Sequence, residues 1–140
     1  MEGKINGILE SALYFMDLDG ARVFYTDLFE FEVLLNSERL VALGVAGKQV
    51  LLLFQEKGSL NEVELPAGGK IPAHDGQGPV HLAFSIDRDS KEYWKERLES
   101  RNITIESEVY FNQGYSLYFR DTNQHLIELA TPGIWKGIGE

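Results

Sequence analysis

The chain has no cysteine. A disulfide framework, a thiolate metal site and a cysteine nucleophile are therefore excluded, and cysteine usage leaves the redox compartment open. Basic residues are scarce: 13 Lys and Arg stand against 22 Asp and Glu, for a net charge of −9. Such a field repels a phosphate backbone. No basic stripe with interleaved aromatics opposes it, so nucleic acid is not an expected partner. The acidic excess is spread along the chain and reads mostly as solvated surface, compatible with a cationic ligand. No apolar run approaches the roughly 20 residues that cross a bilayer, and no charged-then-apolar leader opens the chain. The expectation is a cytoplasmic protein with no membrane partner. What is present is ordinary globular material: a 44% hydrophobic fraction in 140 residues, enough for one domain with a real core.

The most informative pattern is a half-repeat. Gly7-Ile-Leu-Glu10-Ser-Ala-Leu-Tyr-Phe-Met-Asp17 alternates like a strand and runs into an amphipathic helix bearing Phe24-Tyr25. Gly78-Pro-Val-His81-Leu-Ala-Phe-Ser-Ile-Asp87 does the same before a helix bearing Tyr93-Trp94. Each copy begins with one side chain able to bind a metal, Glu10 or His81. A third, Glu128, lies in the last strand candidate, Leu126-Ile-Glu-Leu-Ala130. Ligand-type residues on equivalent strands of a repeated unit suggest a site at a pseudo-twofold centre.

In the first copy both faces of residues 8–16 are largely apolar, so a strand buried on both sides is expected. Asp17 is placed to cap the helix that follows, in which Ala21, Phe24 or Tyr25, and Leu28 recur at helical spacing. Strand candidates at Glu32–Leu35, Arg39–Val45 and Gln49–Phe54 come next, the last two joined through Ala46-Gly47-Lys48. Residues 55–78 lose all period and read as a long functional loop carrying His74. The second copy repeats the order: a strand Val80–Ile86, a helix about Ser90–Ser100 with Asp89-x-x-Glu92 like a capping box, and strands Thr104–Val109, Tyr115–Arg120 and Leu126–Thr131. Asn102 sits where the helix end needs a left-handed residue, and Asp121–Gln124 is the last turn, with His125 expected at the surface. The aromatic pairs Phe24-Tyr25 and Tyr93-Trp94 read as core.

Taken together, Leu9–Leu18 with Phe24-Tyr25, Gly78–Phe84, and Ser116–Asp121 followed by Leu126–Leu129 resemble, in order and spacing, the glyoxalase/bleomycin-resistance/dioxygenase superfamily, or vicinal oxygen chelate proteins. The resemblance covers nearly the whole chain. It implies an α+β fold of two βαβββ modules forming a curled mixed sheet around a central cavity. Here that is one domain over 1–140, with modules at about 7–55 and 78–132 and a linker at about 56–77. The family's metal positions lie on the first and fourth strands of each module and map to Glu10, His81 and Glu128. The remaining position falls in Val50-Leu-Leu-Leu-Phe54, around Leu52, where no ligand is available. Glu10 also departs from the His or Gln of many metal-binding members.

Each assignment competes with a plainer one. Glu10 and Glu128 lie among apolar residues, where a carboxylate is costly unless paired or coordinated. His81 alone could be a satisfied core histidine. One imidazole and two carboxylates suit Mn, Ni, Zn, Fe or Mg rather than copper. Ser116 and Tyr118 share strand parity and match a ligand-facing place in fosfomycin-resistance members. Tyr14, Leu52, His74 and Trp135 complete the candidate substrate contacts, against the alternatives of core packing, a plain loop histidine and a sheet-edge cover. The resemblance implies a small oxygen-bearing substrate and lyase, isomerase, transferase or dioxygenase chemistry, though not typical glyoxalase I activity, because an apolar Leu52 supplies no base. A second reading is metal-free drug sequestration of the bleomycin-resistance type. The family and the exposed strand edges imply a homodimer.

Overall fold

The computed structural model describes residues 2–139. The chain divides between Gln77 and Gly78 into two compact units. In the first, β1 (Glu10–Phe15), α1 (Leu18–Phe29), β2 (Glu32–Asn36), β3 (Leu40–Val45) and β4 (Gln49–Gln55) form a four-stranded sheet of order β1-β4-β3-β2 with one helix. The β1·β4 pair is parallel and the other pairs are antiparallel. Asp17 caps α1 as expected, its carboxylate accepting the Gly20 N–H at 3.1 Å. The Ala46-Gly47 turn takes φ of 53° and 67°, the left-handed geometry a tight hairpin connection demands.

Alternation decides the two faces of this sheet. Leu13 and Phe15 of β1, Val41 and Leu43 of β3, and Leu51 and Leu53 of β4 are buried, together with Leu18, Ala21, Tyr25 and Leu28 of α1. Full burial of each large apolar side chain contributes roughly 1.5–3 kcal/mol. Glu10 and Ala12 lie on the opposite face and are exposed. β1 is thus buried on one side, not both, because a single helix covers a single face. Of the Phe24-Tyr25 pair only Tyr25 enters the core.

The segment expected to be a long functional loop holds a short antiparallel ribbon, β5 (Val63–Glu64) with β6 (Lys70–Ile71). Its turn is closed by Leu65 N–H to Gly69 O and Gly68 N–H to Leu65 O. A two-residue strand is too short to show a period, which is why the pattern hid it.

The second unit repeats the topology: β7 (His81–Ser85), α2 (Lys91–Ser100), β8 (Ser107–Phe111), β9 (Gly114–Arg120) and β10 (Leu126–Ala130), in the order β7-β10-β9-β8. Neither sheet closes into a barrel. Leu117, Phe119, Ile127 and Leu129 form the buried face. Leu98 is the sole buried residue of α2, and this helix is held instead by polar contacts. Lys91 Nζ sits 5.2 and 4.9 Å from the Tyr110 and Tyr115 ring centres, and Lys95 pairs with Glu108 at 3.1 Å. Tyr93 is accordingly exposed, not core. The expected capping box is absent: Ser90 occupies the N-cap, and its hydroxyl donates to Asp87 O. Asn102 does take the left-handed conformation, φ 57°.

His125 corrects the sequence reading. It is 1% exposed, its Nδ1–H donating to Asp121 Oδ2 at 2.8 Å, while Asp121 Oδ1 accepts the Asn123 and His125 backbone N–H groups. The turn's own carboxylate satisfies the imidazole, so burial costs little. Among the described residues, no helix is long and apolar enough to cross a membrane.

Candidate functional site

The clearest constellation is on the second unit, on the sheet face away from its buried apolar residues. Register builds it. β10 places Glu128 opposite Tyr118 on β9 and opposite Ala83 on β7, with His81 opposite Leu126. Alternation then brings His81, Glu128, Tyr118 and Ser116 to one face. His81 Nδ1 lies 2.9 Å from Leu126 O, and Nε2 lies 3.1 Å from Glu128 Oε1. Ser116 Oγ donates a hydrogen bond to Glu128 Oε2. The Tyr118 ring lies 6.2 Å from the imidazole, tilted by 31°. Partial burial, and next the Glu128 carboxylate, hold the Tyr118 phenol above its usual range. The Glu128 side chain is 11% exposed and that of His81 48%, so the pair is buried at the acid and reachable at the base.

This arrangement fits a divalent ion. Leu126 O can only accept, so Nδ1 carries a hydrogen and Nε2 is the ring atom that faces the carboxylate oxygen. A carboxylate oxygen is itself an acceptor, so the geometry calls for either a proton on Nε2 or a cation between the two. Two ligands of one ion at bonds of about 2.1 Å and a right angle stand about 3.0 Å apart, close to the 3.1 Å observed. A backbone carbonyl on the remote ring nitrogen is the usual way a ligating histidine is oriented.

Glu10 belongs to the first unit. It is exposed there, and its side chain makes no hydrogen bond or ion pair among the described residues. The desolvation cost expected for it therefore does not arise, whereas for Glu128 it does. No group of three or more His, Asp or Glu residues placed to hold a metal occurs among the described residues. Within the second unit the structure joins His81 to Glu128, and Glu10 lies in the first unit.

The remaining candidates separate. Leu52 sits between Ala12 and Ala42 on the first sheet's face away from its helix, half-buried. Tyr14 and His74 meet: the phenol is hydrogen-bonded to His74 Nδ1 at 2.6 Å, and both rings pack on Phe54, at 5.6 and 4.5 Å between centres. A side chain at Gly76 would put its Cβ 2.5 Å from the Tyr14 ring, so only glycine lets the loop lie there. Arg39 donates to Ser59 Oγ at 2.6 Å, and Ser59 O accepts the His74 N–H. Burial, and next the Asp75 carboxylate, raise the Tyr14 phenol. Trp135, a candidate pocket residue, is 68% exposed. Sequence reasoning missed Arg39 and Ser59 as anchors of the loop. Neither carries a motif, and only the fold brings the two together. A surface cavity of about 650 Å³ in the first unit, lined by Asp17, Asp19, Asn36 and Glu38 among others, contains none of the candidate residues.

The fold and the cluster define a class: an α+β protein of repeated βαβββ units bearing a His–Glu pair on a sheet face. The chain belongs to the Glyoxalase/Bleomycin resistance protein/Dioxygenase superfamily, whose family model matches residues 7–129. It is 33% identical to a lactoylglutathione lyase from Agrobacterium tumefaciens, covering 96% of this chain and 99% of that one with a TM-score of 0.84. The fold is shared with the fosfomycin resistance protein FosX from Listeria monocytogenes, solved with Mn(II) and sulfate, at 22% identity, 91% coverage of each chain and a TM-score of 0.67. Oxidase ChaP-H2 shares the fold at 17% identity, with 96% of this chain and 98% of that one covered and a TM-score of 0.67.

Proposed function

We propose that this protein is a divalent-metal-dependent enzyme acting on a small oxygen-bearing substrate by lyase, isomerase, transferase or dioxygenase-type chemistry. The ion is held by His81 and Glu128, with Glu10 as the third ligand. The observation that carries this is the 3.1 Å approach of His81 Nε2 to Glu128 Oε1 with Nδ1 already committed to Leu126 O. Glu10 enters because it holds, in β1, the register position His81 holds in β7. The Mn(II) of FosX supports a hard or borderline ion such as Mn, Ni, Zn, Fe or Mg. When bound, the ion would polarise substrate oxygens and stabilise developing negative charge. Tyr118, its phenol kept protonated, supplies a donor beside that charge. Tyr14, Leu52, His74, Ser116 and Trp135 remain the candidate substrate surroundings. The protein acts in the cytoplasm as a homodimer, and sedimentation at micromolar concentration giving only monomer refutes the dimer.

Lactoylglutathione lyase activity itself is expected to be trace despite the 33%-identical relative of that name. Moving a proton at the substrate carbon requires a placed base, and the first unit offers Leu52 where the second has Glu128.

A second reading, metal-free sequestration of a drug, is favoured by that same apolar surface and by the net charge of −9. Elemental analysis of protein purified without chelator separates the two. Near-stoichiometric divalent metal supports the enzyme. Metal-free protein that takes up none of the five ions leaves the sequestration reading.

A further inference from the structure

We propose that Ser116 is a positioning residue: its hydroxyl occupies Glu128 Oε2 and thereby makes Glu128 a one-oxygen ligand through Oε1. The inference rests on the metal reading above and goes beyond it by setting which ions the site accepts. Ser116 is fully buried. It lies opposite Ala130, one alternation along β9 from the Tyr118–Glu128 pair, so its hydroxyl reaches the carboxylate diagonally across the strands. The bond it makes there is to Oε2, and the other oxygen faces His81. A buried hydroxyl with that partner can border the substrate without donating to it, so Ser116 acts through Glu128.

The consequence is selectivity. Ca2+ takes 6–8 oxygens at long, flexible distances and often uses both oxygens of a Glu, whereas Mn2+, Fe2+, Ni2+ and Zn2+ accept an imidazole and a single carboxylate oxygen readily. With Oε2 tied to Ser116, Glu128 cannot close on a large ion with both oxygens. Freed of the hydroxyl, it can. Outer-shell partners of metal ligands are typically worth 10–100-fold in affinity.

The test is calorimetric titration of the full chain with Mn2+ and separately with Ca2+, for wild type, Ser116→Ala and Ser116→Cys, with circular dichroism confirming that each is folded. The expected result is Mn2+ affinity at least about tenfold weaker in both variants, within the range for outer-shell partners. The preference for Mn2+ over Ca2+ should also shrink at least about tenfold. A merely structural role for the hydroxyl would lower the melting temperature without changing that preference. Wild-type affinity and preference in folded Ser116→Ala overturn the inference alone. No Mn2+ uptake by wild type overturns the metal reading and this inference with it.

Discussion

The two sheets share one topology and carry opposite surfaces. Register aligns them position by position. His81, Glu128, Tyr118 and Ser116 of the second unit correspond to Glu10, Leu52, Ala42 and Leu40 of the first. One unit thus presents an imidazole, a carboxylate, a phenol and a hydroxyl in mutual contact. The other presents one solvated carboxylate and a run of aliphatic side chains, closed at its far end by the Tyr14–His74 pair on Phe54. The helices differ in the opposite sense. α1 buries four residues and α2 only one, so the unit richer in chemistry is the one whose helix is held by cation–π and ion-pair contacts. A duplicated scaffold can keep its topology through the buried faces alone, because the far faces alternate independently of them.

The largest expected effect separates buried faces from far faces. Phe119→Ala, in the second core, should cost about 3–5 kcal/mol of stability by denaturant unfolding. Leu52→Ala, half-buried on the far face of the first sheet, should cost clearly less. Equal losses would mean that Leu52 is as tightly enclosed as Phe119.

Next comes the His–Glu pair. His81→Ala removes a ligand, and metal affinity should fall by more than the roughly 100-fold upper range of an outer-shell change. The circular dichroism spectrum should stay native, since no buried apolar contact is lost. Unchanged affinity would place the ion elsewhere.

Most of the architecture was legible, and what was legible follows from period and caps. The β1 alternation, the Asp17 cap, the Ala46-Gly47 hairpin and the left-handed Asn102 are local chemistry, written in neighbouring residues. The failures came where tertiary context decides. Glu10 and Glu128 look alike in sequence, each a carboxylate in an apolar strand, yet one is solvated at an edge strand's start and the other lies in a central strand under Ser116. His125 looks like a turn flank until Asp121 turns inward to meet it. Ser90 rather than Asp89 is the N-cap of α2, and the strand expected at Thr104–Val109 lies at Ser107–Phe111, a boundary shift that short edge strands invite. The Tyr14–His74 contact spans sixty residues, so no local pattern could announce it.

Smaller effects sharpen the contrast from the first unit. Tyr14→Phe removes one hydrogen bond to His74 and should cost about 0.5–1.5 kcal/mol, with faster proteolytic cleavage between residues 56 and 77. An unchanged cleavage rate would mean that the aromatic packing alone holds the loop.

The smallest effect is a pH dependence. The Tyr14 phenol is raised by burial, then by Asp75. The Tyr115 phenol is raised by burial, then by the hydrogen bond it donates to Glu108. A raised folded pKa means the native state holds the proton more tightly than the unfolded one. The linked stability is complete below about pH 10, the unfolded phenol value, and is lost as pH rises above it. Tyrosinate absorbance should show these two phenols ionising only above the ordinary tyrosine range of about 10, with stability falling in the same window. Early ionisation of all the phenols would remove both contacts.

The most direct test of the central claim, that the second sheet carries the chemistry, is a Mn2+ titration followed by paramagnetic broadening of assigned backbone resonances in the full chain. Broadening centred on His81, Tyr118 and Glu128, saturating near one equivalent and abolished in His81→Ala, is the predicted result. Broadening confined to the acidic surface around Asp17 and Glu38, or none at any residue, would contradict it.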